Sequence, residues 1–271
     1  YYVEHTAWTI KAILNMTNKD YGFLSSQGYQ IAPYFGLHIQ TAVEGCYNYS
    51  ETATYTVLVY PSELFLIADL YHDEALMQVL EKYRKVLGVE TDCRYVLWYQ
   101  PSEDKTELDV PLDKYFVGQR VLTMRSSNED SDATYVGAKL GKNTALLSHF
   151  DKGSFIFEAL GERWFVDLGK DNMNIEGGYF GSDGFTLYKK RAEGHNIAVI
   201  NPTANDPGQT YNGIADMLSF TSKPKGSIAL FNLDGVYQGQ ANSYKRGLLY
   251  SDDRNTLVVQ DEVELTADNS S

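Results

Sequence analysis

The sequence predicts an α+β multidomain chain in which helices come first and an antiparallel β part follows. Two observations lead to this fold class. Up to about residue 90, apolar residues recur at helical spacing, whereas from about Tyr115 short apolar runs alternate with turn residues. Residues 99–114 between them are rich in proline and charge, which is typical of a linker. We therefore expect a helical domain at 1–98, a linker at 99–114 and a β domain at 115–271.

The helical part is predicted from three apolar-periodic runs, which lie at residues 6–16, 31–43 and 55–87. Pro61 marks the first turn of a helix, because proline lacks the N–H that is unpaired there in any case. Asp73 and Glu74 start the next helix, and Gly88 ends it. We therefore expect at least two helices within the last run.

The β part is predicted from short runs of strand-forming residues bounded by turn residues. The runs lie at 121–125, 133–136, 154–160, 164–167, 197–200, 227–231, 244–250 and 256–263. Gly161-Glu162 between two of them is a hairpin signal. Many short strands with turns every 8–15 positions indicate an antiparallel β-sandwich.

Composition excludes several classes of protein. The chain has 271 residues and a net charge of −13, which argues against a general nucleic-acid binder. With 43% hydrophobic residues it can bury a core, so it is not disordered. No run of about 18 apolar residues predicts a transmembrane helix. Cys46 and Cys93 are expected to be free thiols. The abrupt first residues show no signal peptide, and we expect the chain to be a fragment.

Tyrosine is unusually frequent, at 21 of 271 residues. Tyrosine joins an apolar ring to a polar hydroxyl, so it suits surfaces that bind sugars, but it also suits a packed core. Composition alone leaves both interpretations open.

Histidine and carboxylate residues around the first β hairpin form a candidate metal site. His149, Asp167 and His195 would give two nitrogens, one oxygen and an open position, a set that suits zinc. His149-x-Asp151 with His195 instead has the spacing of the two-His-one-carboxylate triad of non-haem iron oxygenases. The third possibility is that these residues are scattered over the sheet. Asp167 stands among apolar neighbours, so its burial would require a partner or a metal.

A local positive patch is predicted beside these residues. Lys189-Lys190-Arg191 precedes His195, and Arg125 ends another predicted strand. An acidic protein that binds an anionic substrate needs such a patch against its global charge. A solvated basic turn is the alternative for the lysine pair.

Several segments of the chain resemble the heparinase II/III-like polysaccharide lyase family. They are His149-Phe-Asp-Lys-Gly-Ser-Phe155, residues 159–169, residues 188–196 and residues 116–138. The resemblance implies an incomplete toroid of α-hairpins followed by antiparallel sheets. This chain would span the end of the toroid and the start of the β-sandwich, truncated at both ends.

The resemblance also implies an activity. Members cleave uronic-acid polysaccharides such as heparin, heparan sulfate, other glycosaminoglycans and alginate by β-elimination. A base removes the C5 proton of the uronate, and an acid protonates the leaving oxygen at C4. The same resemblance implies a bacterial protein of the periplasm or cell envelope, or a secreted one.

Roles for single residues follow from the resemblance. Tyr55 is the first candidate for the catalytic tyrosine, Tyr49 is the second, and His5 matches the helix-borne histidine or asparagine. The expected ligands of a mainly structural zinc are His149, Asp167 and His195, which favours Asp167 over Asp151. The residues expected to bind substrate are Arg125, Arg191, Tyr188 and Asn196. His38 and His72 are expected to be structural.

Two positions depart from the family. Several members have a further histidine two residues before the first metal histidine, where this chain has Leu147. Glu51-Thr52-Ala53 lacks the Gly-Pro often found there. A carbohydrate-binding relative without catalysis is therefore the second hypothesis, and a non-haem iron oxygenase is the third.

Overall fold

The structure is a computed structural model that divides into two compact units. The described residues are 2–26, 28–41, 43, 45–52, 62–86, 93–101, 110–128, 130, 132–145, 147–170, 179, 185–203, 206–251 and 253–267. One unit, called the helical unit, comprises Tyr1–His38 and Leu58–Val110. The other, called the β unit, comprises Ile39–Val57 and Pro111–Ser271. The structure differs from the expected division at 39–57, because this segment groups with the strands.

The first four helices lie within or around the predicted runs, whereas the fifth lies outside them. Their bounds are α1 Tyr2–Thr17, α2 Ala32–Ile39, α3 Ser62–Leu70, α4 Glu74–Val86 and α5 Cys93–Trp98. The expected start of α4 has a physical cause, because Asp73 Oδ1 accepts a bond from Leu76 N at 2.9 Å and caps the helix. The expected stop at Gly88 lies outside the described residues.

The core of the helical unit is organised around α3. On one side, Phe65 and Ala68 pack with Leu37 of α2 and Leu80 of α4. On the other side, Leu66, Ile67 and Leu70 pack with Ala7 and Ile10 of α1. Because α3 is apolar on more than one face, it is buried between its neighbours.

The β unit contains two five-stranded antiparallel sheets. The strands are β1 Asp113–Phe116, β2 Val121–Arg125, β3 Tyr135–Lys139, β4 Gly141–Lys142, β5 Phe155–Ala159, β6 Glu162–Phe165, β7 Ile214–Lys223, β8 Gly226–Asn232, β9 Ala241–Tyr250 and β10 Leu257–Leu265. The order is β1-β2-β3-β5-β6 in one sheet and β10-β9-β8-β7-β4 in the other. The strand predicted at 197–200 is wrong, and β1, β4 and β7 were not predicted.

Both sheets contribute to one hydrophobic core. Leu122 and Val136 from the first sheet share it with Phe231 and Leu248 from the second. Several tyrosines are also fully buried in the β unit, namely Tyr47, Tyr135, Tyr237, Tyr244 and Tyr250. Part of the tyrosine surplus therefore belongs to the core. The toroid and sandwich arrangements themselves stay predictions.

No helix in the described part of the chain is long and apolar enough to cross a membrane. Cys46 is a buried free thiol and Cys93 an exposed one, as expected. Burial raises the pKa of the Cys46 thiol to about 11, although the charge of Arg163 opposes the shift.

Candidate functional site

Loops of the β unit bring together His149, His195, Asp167 and Glu51, a group we call the histidine cluster. His149 lies between β4 and β5, Asp167 follows β6, and His195 follows a short turn after residues 192–194. Glu51 comes from the segment at 45–52, which precedes every strand of the sheets in the chain. The first three residues were expected to lie close together, and in the structure they do.

His195 is paired with Asp167. The distance from His195 Nδ1 to Asp167 Oδ2 is 3.0 Å, and both side chains are buried. Asp167 Oδ1 accepts a second bond, from Gly169 N at 2.8 Å. Burial disfavours the imidazolium, but the charge of Asp167 and its hydrogen bond outweigh this effect and raise the pKa of His195.

His149 is paired with Glu51. The distance from His149 Nε2 to Glu51 Oε1 is 3.1 Å, and the His149 side chain is fully buried. Glu51 also lies 3.0 Å from Lys190 Nζ and accepts a short bond from the Tyr179 hydroxyl. Burial lowers the pKa of His149, although nearby Asp151 opposes the shift.

A second carboxylate, Asp151, is buried beside the histidines but has other partners. It pairs with the fully buried Lys152 and accepts a bond from Ser50 Oγ at 3.1 Å. Burial works against ionisation of Asp151, but the charge of Lys152 outweighs it and holds the pKa well below its usual range. Each oxygen of Asp151 therefore accepts a bond from a side chain other than the imidazoles.

One nitrogen of each imidazole is left over. His149 Nδ1 and His195 Nε2 are buried and have no hydrogen-bond partner among the described residues. The two ring centroids are 5.5 Å apart. Buried polar atoms are nearly always paired, so two orphaned nitrogens side by side require an explanation. A lone pair on a neutral imidazole nitrogen is the donor that zinc prefers.

The described residues offer a metal two imidazole nitrogens but no carboxylate ligand. Within the described ranges, no three His, Cys, Asp or Glu side chains are grouped closely enough to hold a metal ion. Asp167 binds the Nδ1 edge of His195, whereas the free nitrogen is on the Nε2 edge. In this arrangement Asp167 supports an imidazole and does not ligate directly, which differs from the expected ligand set.

Polar side chains bind the segment at 45–52 to β6 and to the residues that follow it. Asn48 Nδ2 donates to Asp167 O at 2.8 Å, and Arg163 donates to Asn48 Oδ1 at 3.0 Å. Ser50 has a φ of 53°, in the left-handed region that serine rarely adopts. This backbone turn lies between Tyr49 and Glu51.

Tyr49, the second candidate for catalysis, is half-buried in this segment. Lys139 Nζ lies 5.2 Å from the centre of its ring. Burial raises the pKa of Tyr49 to about 12, and the charge of Asp151 adds to the shift. The hydroxyl therefore keeps its proton at neutral pH. Tyr55, the first candidate, lies outside the described residues.

Three of the expected substrate-binding residues are tied to protein atoms. Arg125 is buried and donates to Gln40 O at 3.1 Å. Arg191 is buried and bound to Glu193, Thr203 O and Asp206 O. Asn196 Nδ2 donates to Phe155 O and Val166 O. Each of these three side chains therefore already has acceptors within the protein.

The remaining expected residues are more accessible. Tyr188 is 61% exposed. His5 is exposed on α1 in the helical unit, with its ring edge-on to Trp8 at 5.4 Å. Leu147 is exposed and has a φ of 60°.

Sequence reasoning missed the partners that complete the cluster. Glu51 was considered only as part of Glu51-Thr52-Ala53, and Lys190 only as part of the predicted positive patch. Lys190 is in fact buried, and its Nζ lies 3.7 Å from the centre of the Tyr179 ring. The only signal in the sequence for this partner was the position of Glu51 between two aromatic-rich stretches.

The fold is similar to part of the fold of heparinase structures. Over 98% of its length, the chain superposes on heparan sulfate lyase HepC from Pedobacter heparinus with a TM-score of 0.62 and 13% identity. A structure titled heparinase III gives 0.65 and 12% over 98% of this chain, and the heparinase III-BT4657 gene product with methylated lysines gives 0.62 and 17% over 98%.

These likenesses concern the fold and only part of each relative. The chain spans 38–39% of the length of those three structures. No family model matches the sequence. No curated protein matches it either.

Proposed function

We propose that this chain is part of a polysaccharide lyase that cleaves a uronic-acid polysaccharide by β-elimination. The observation that carries the proposal is the superposition of 98% of the chain on structures of heparinase III and of a heparan sulfate lyase. The substrate would be a glycosaminoglycan such as heparin or heparan sulfate, or an alginate-like polymer. Such a substrate places the protein in the periplasm, in the cell envelope or outside the cell.

β-Elimination needs a base at C5, an acid at the C4 oxygen, and donors that stabilise the charge growing on the uronate carboxylate. Tyr55 is the first candidate for the catalytic tyrosine. Tyr49, whose raised pKa keeps its proton at neutral pH, suits the acid. His5, exposed on α1, is the candidate base outside the β unit. Tyr188 offers an exposed ring on which a sugar could stack.

We further propose a structural zinc in the histidine cluster. His149 Nδ1 and His195 Nε2 would hold it, because both are buried donors without a partner in the described part of the chain. Asp167 would support His195. The ion would supply a fixed positive charge that ties the loops of the two histidines together. Because both imidazoles are fully buried, they fix the site and do not touch substrate.

The test is formation of unsaturated product. The full-length protein is incubated with heparin, heparan sulfate and alginate, and ultraviolet absorbance of the new C4–C5 double bond is followed. We expect a rise with one polymer and its loss in Tyr55→Phe, with Tyr211→Phe, which removes an exposed hydroxyl, as the matched control. A folded protein that gives no rise with any of the three would defeat the proposal.

Leu147 supports a second candidate, a carbohydrate-binding homologue with impaired catalysis. Its exposed leucyl side chain offers no proton-transfer group at a position where several lyases have one. Calorimetric binding of a uronic-acid polymer without unsaturated product would favour this candidate. Detection of product would exclude it.

The iron oxygenase alternative depends on Asp151 as a ligand. The bonds of Asp151 to Lys152 and Ser50 disfavour that role. Elemental analysis decides the point, since bound iron that is lost in Asp151→Asn would revive this alternative.

A further inference from the structure

The segment at 45–52 carries Tyr49, the candidate acid, between residues that are bound to the β unit. Before it in the chain, Asn48 Nδ2 donates to a backbone carbonyl that follows β6, at 2.8 Å. After it, Ser50 Oγ donates to Asp151 Oδ2 at 3.1 Å. The position of Tyr49 therefore depends on how firmly its neighbours in the chain are held.

Glu51 supplies the charge among these contacts, since it is the one charged residue between 45 and 52. Its Oε1 lies 3.0 Å from Lys190 Nζ and 3.1 Å from His149 Nε2. Its Oε2 accepts a bond from the Tyr179 hydroxyl. The side chains of Glu51 and Lys190 are 7% and 4% exposed, so water and salt screen this ion pair much less than a surface pair.

Lys190 is a fixed partner for this carboxylate. Its Nζ donates to Tyr179 O at 3.0 Å and lies 3.7 Å from the centre of the Tyr179 ring. Its own carbonyl accepts a bond from Phe150 N at 2.8 Å, which ties its backbone to the loop before β5. The ammonium therefore points into the β unit toward Glu51, away from the positive surface patch that the sequence predicts.

We propose that Glu51 is the positioning residue for Tyr49: its buried ion pair with Lys190 holds the tyrosine-bearing segment on the β unit. This inference rests on the proposed function for the role of Tyr49 as the acid, and it needs no metal ion. An acid must lie within hydrogen-bond reach of the leaving oxygen, so displacement of Tyr49 slows the chemical step more than it weakens substrate binding. Glu51 acts through Tyr49 and does not touch substrate.

The first experiment measures amide hydrogen exchange of residues 45–52 in the full-length protein. In Glu51→Gln the shape is kept but the charge is lost, and we expect exchange in this segment to become about tenfold faster or more. Glu162→Gln, the same change at an exposed position of β6, is the matched control and should leave the segment unchanged. Equal exchange in wild type and Glu51→Gln overturns the proposal.

Tyr179→Phe is a milder variant for use if Glu51→Gln does not fold. It removes one hydroxyl bond to Glu51 and keeps the aromatic ring beside Lys190. We expect a smaller rise in exchange of the segment, with a urea midpoint close to that of wild type. In that event, exchange at the wild-type rate in Tyr179→Phe overturns the proposal.

The second experiment separates positioning from general stability. Glu51→Gln/Lys190→Met removes both charges, so no unpaired charge stays buried and the urea midpoint should recover. With a polymer that gives unsaturated product, we expect kcat of the double variant to stay about 10–100-fold below wild type, because the tyrosine is no longer held. KM should change little. If kcat recovers together with the midpoint, Glu51 is only a structural residue and the proposal fails.

These readouts separate this inference from the proposed activity. Faster exchange of the segment in Glu51→Gln, found in a protein that makes no unsaturated product, would uphold the hold of Glu51 on the segment and refute the lyase. Product formation with wild-type kcat in Glu51→Gln would do the reverse.

Discussion

Two of the buried charged clusters of the β unit differ in one respect. The first is the histidine cluster. The second is the arginine cluster, in which Arg254 and Asp113 form a two-bond ion pair with both distances at 2.8 Å. All five guanidinium N–H groups of Arg254 have acceptors, since Pro224, Arg125 and Lys223 supply carbonyls for the rest. Asp113 also accepts from Ser222 and Ser227.

The comparison shows that burial of charge does not by itself indicate function. Both clusters are almost fully buried. In the arginine cluster every donor of the arginine is used, so it fastens β1 to the second sheet and leaves nothing to offer a ligand. The histidine cluster ends in two buried nitrogens without partners in the described residues. An incomplete set of hydrogen bonds is therefore the better guide to a binding site.

The largest expected effect comes from breaking the arginine cluster. Asp113→Ala leaves the Arg254 guanidinium buried without its counter-ion, which costs about 3–5 kcal/mol. The urea midpoint of the β unit should fall accordingly, while Glu264→Gln on the exposed face of β10 should leave it nearly unchanged. A small change in Asp113→Ala would mean that the two clusters do not differ as described.

Zinc should act on one cluster only. At a zinc concentration of 100 times Kd, a ligand that binds only the folded state adds about 2.7 kcal/mol of stability. We expect the thermal midpoint to rise in wild type and, by the same increment, in Asp113→Asn. In His149→Gln, addition of zinc should leave the thermal midpoint unchanged. A rise of the same size in His149→Gln would show that zinc binds at a site other than the histidine cluster.

A third change probes the segment that delivers Glu51. A Cβ on Gly137 of β3 would lie 2.6 Å from Tyr47 Cδ1, inside contact distance. Gly137→Ala should therefore destabilise the β unit by about 1–3 kcal/mol through overpacking. Gly118→Ala is the control, because nothing lies within 4 Å of its Cβ position. Equal urea midpoints in the two variants would contradict the packing of Tyr47 on β3.

The smallest expected effect is the acid response of the arginine cluster. Burial opposes ionisation of Asp113, but its bonds from Arg254, Ser222 and Ser227 outweigh this and lower its pKa. The stability it contributes is present above the unfolded-state value of about 3.9 and is lost as pH falls through the lower folded-state pKa. Urea midpoints should drop over this window in wild type but much less in Asp113→Asn. If the urea midpoint fell equally with pH in both proteins, the loss of stability would not come from Asp113.

The strands show where sequence patterns suffice. β2 was predicted with both ends correct, because Val121–Arg125 is bounded by turns. β7 was missed because a bulge between Met217 and Ser219 breaks the two-residue alternation. The apolar run at 197–200 is not a strand. Its Ala198 carbonyl accepts the Tyr237 hydroxyl at 2.6 Å, and Ile197 N bonds to His195 O in a turn.

The site was half-predictable for a similar reason. A hairpin returns the chain to its origin, so Asp167 could be expected near His149 from sequence alone. The partner of His149 could not, because Glu51 is 98 positions away and lies in a segment that local pattern assigns to the helices. Contacts at that range are set by the packing of whole elements, which periodicity does not reveal.

The grouping of residues 39–57 with the strands has a consequence for folding of the chain during its synthesis. Asn48 bonds to the carbonyl of Asp167, which lies 119 positions later in the chain. The carbonyl of Cys46 bonds to Arg163, which lies 117 positions later. At roughly 5–20 residues per second, a ribosome needs about 6–24 s to supply those partners. Until then these hydrogen-bonding groups of the segment remain accessible to solvent and to chaperones. A protein trimmed to residues 111–271 would lack this segment, so the Asp167 carbonyl and Arg163 would lose these partners.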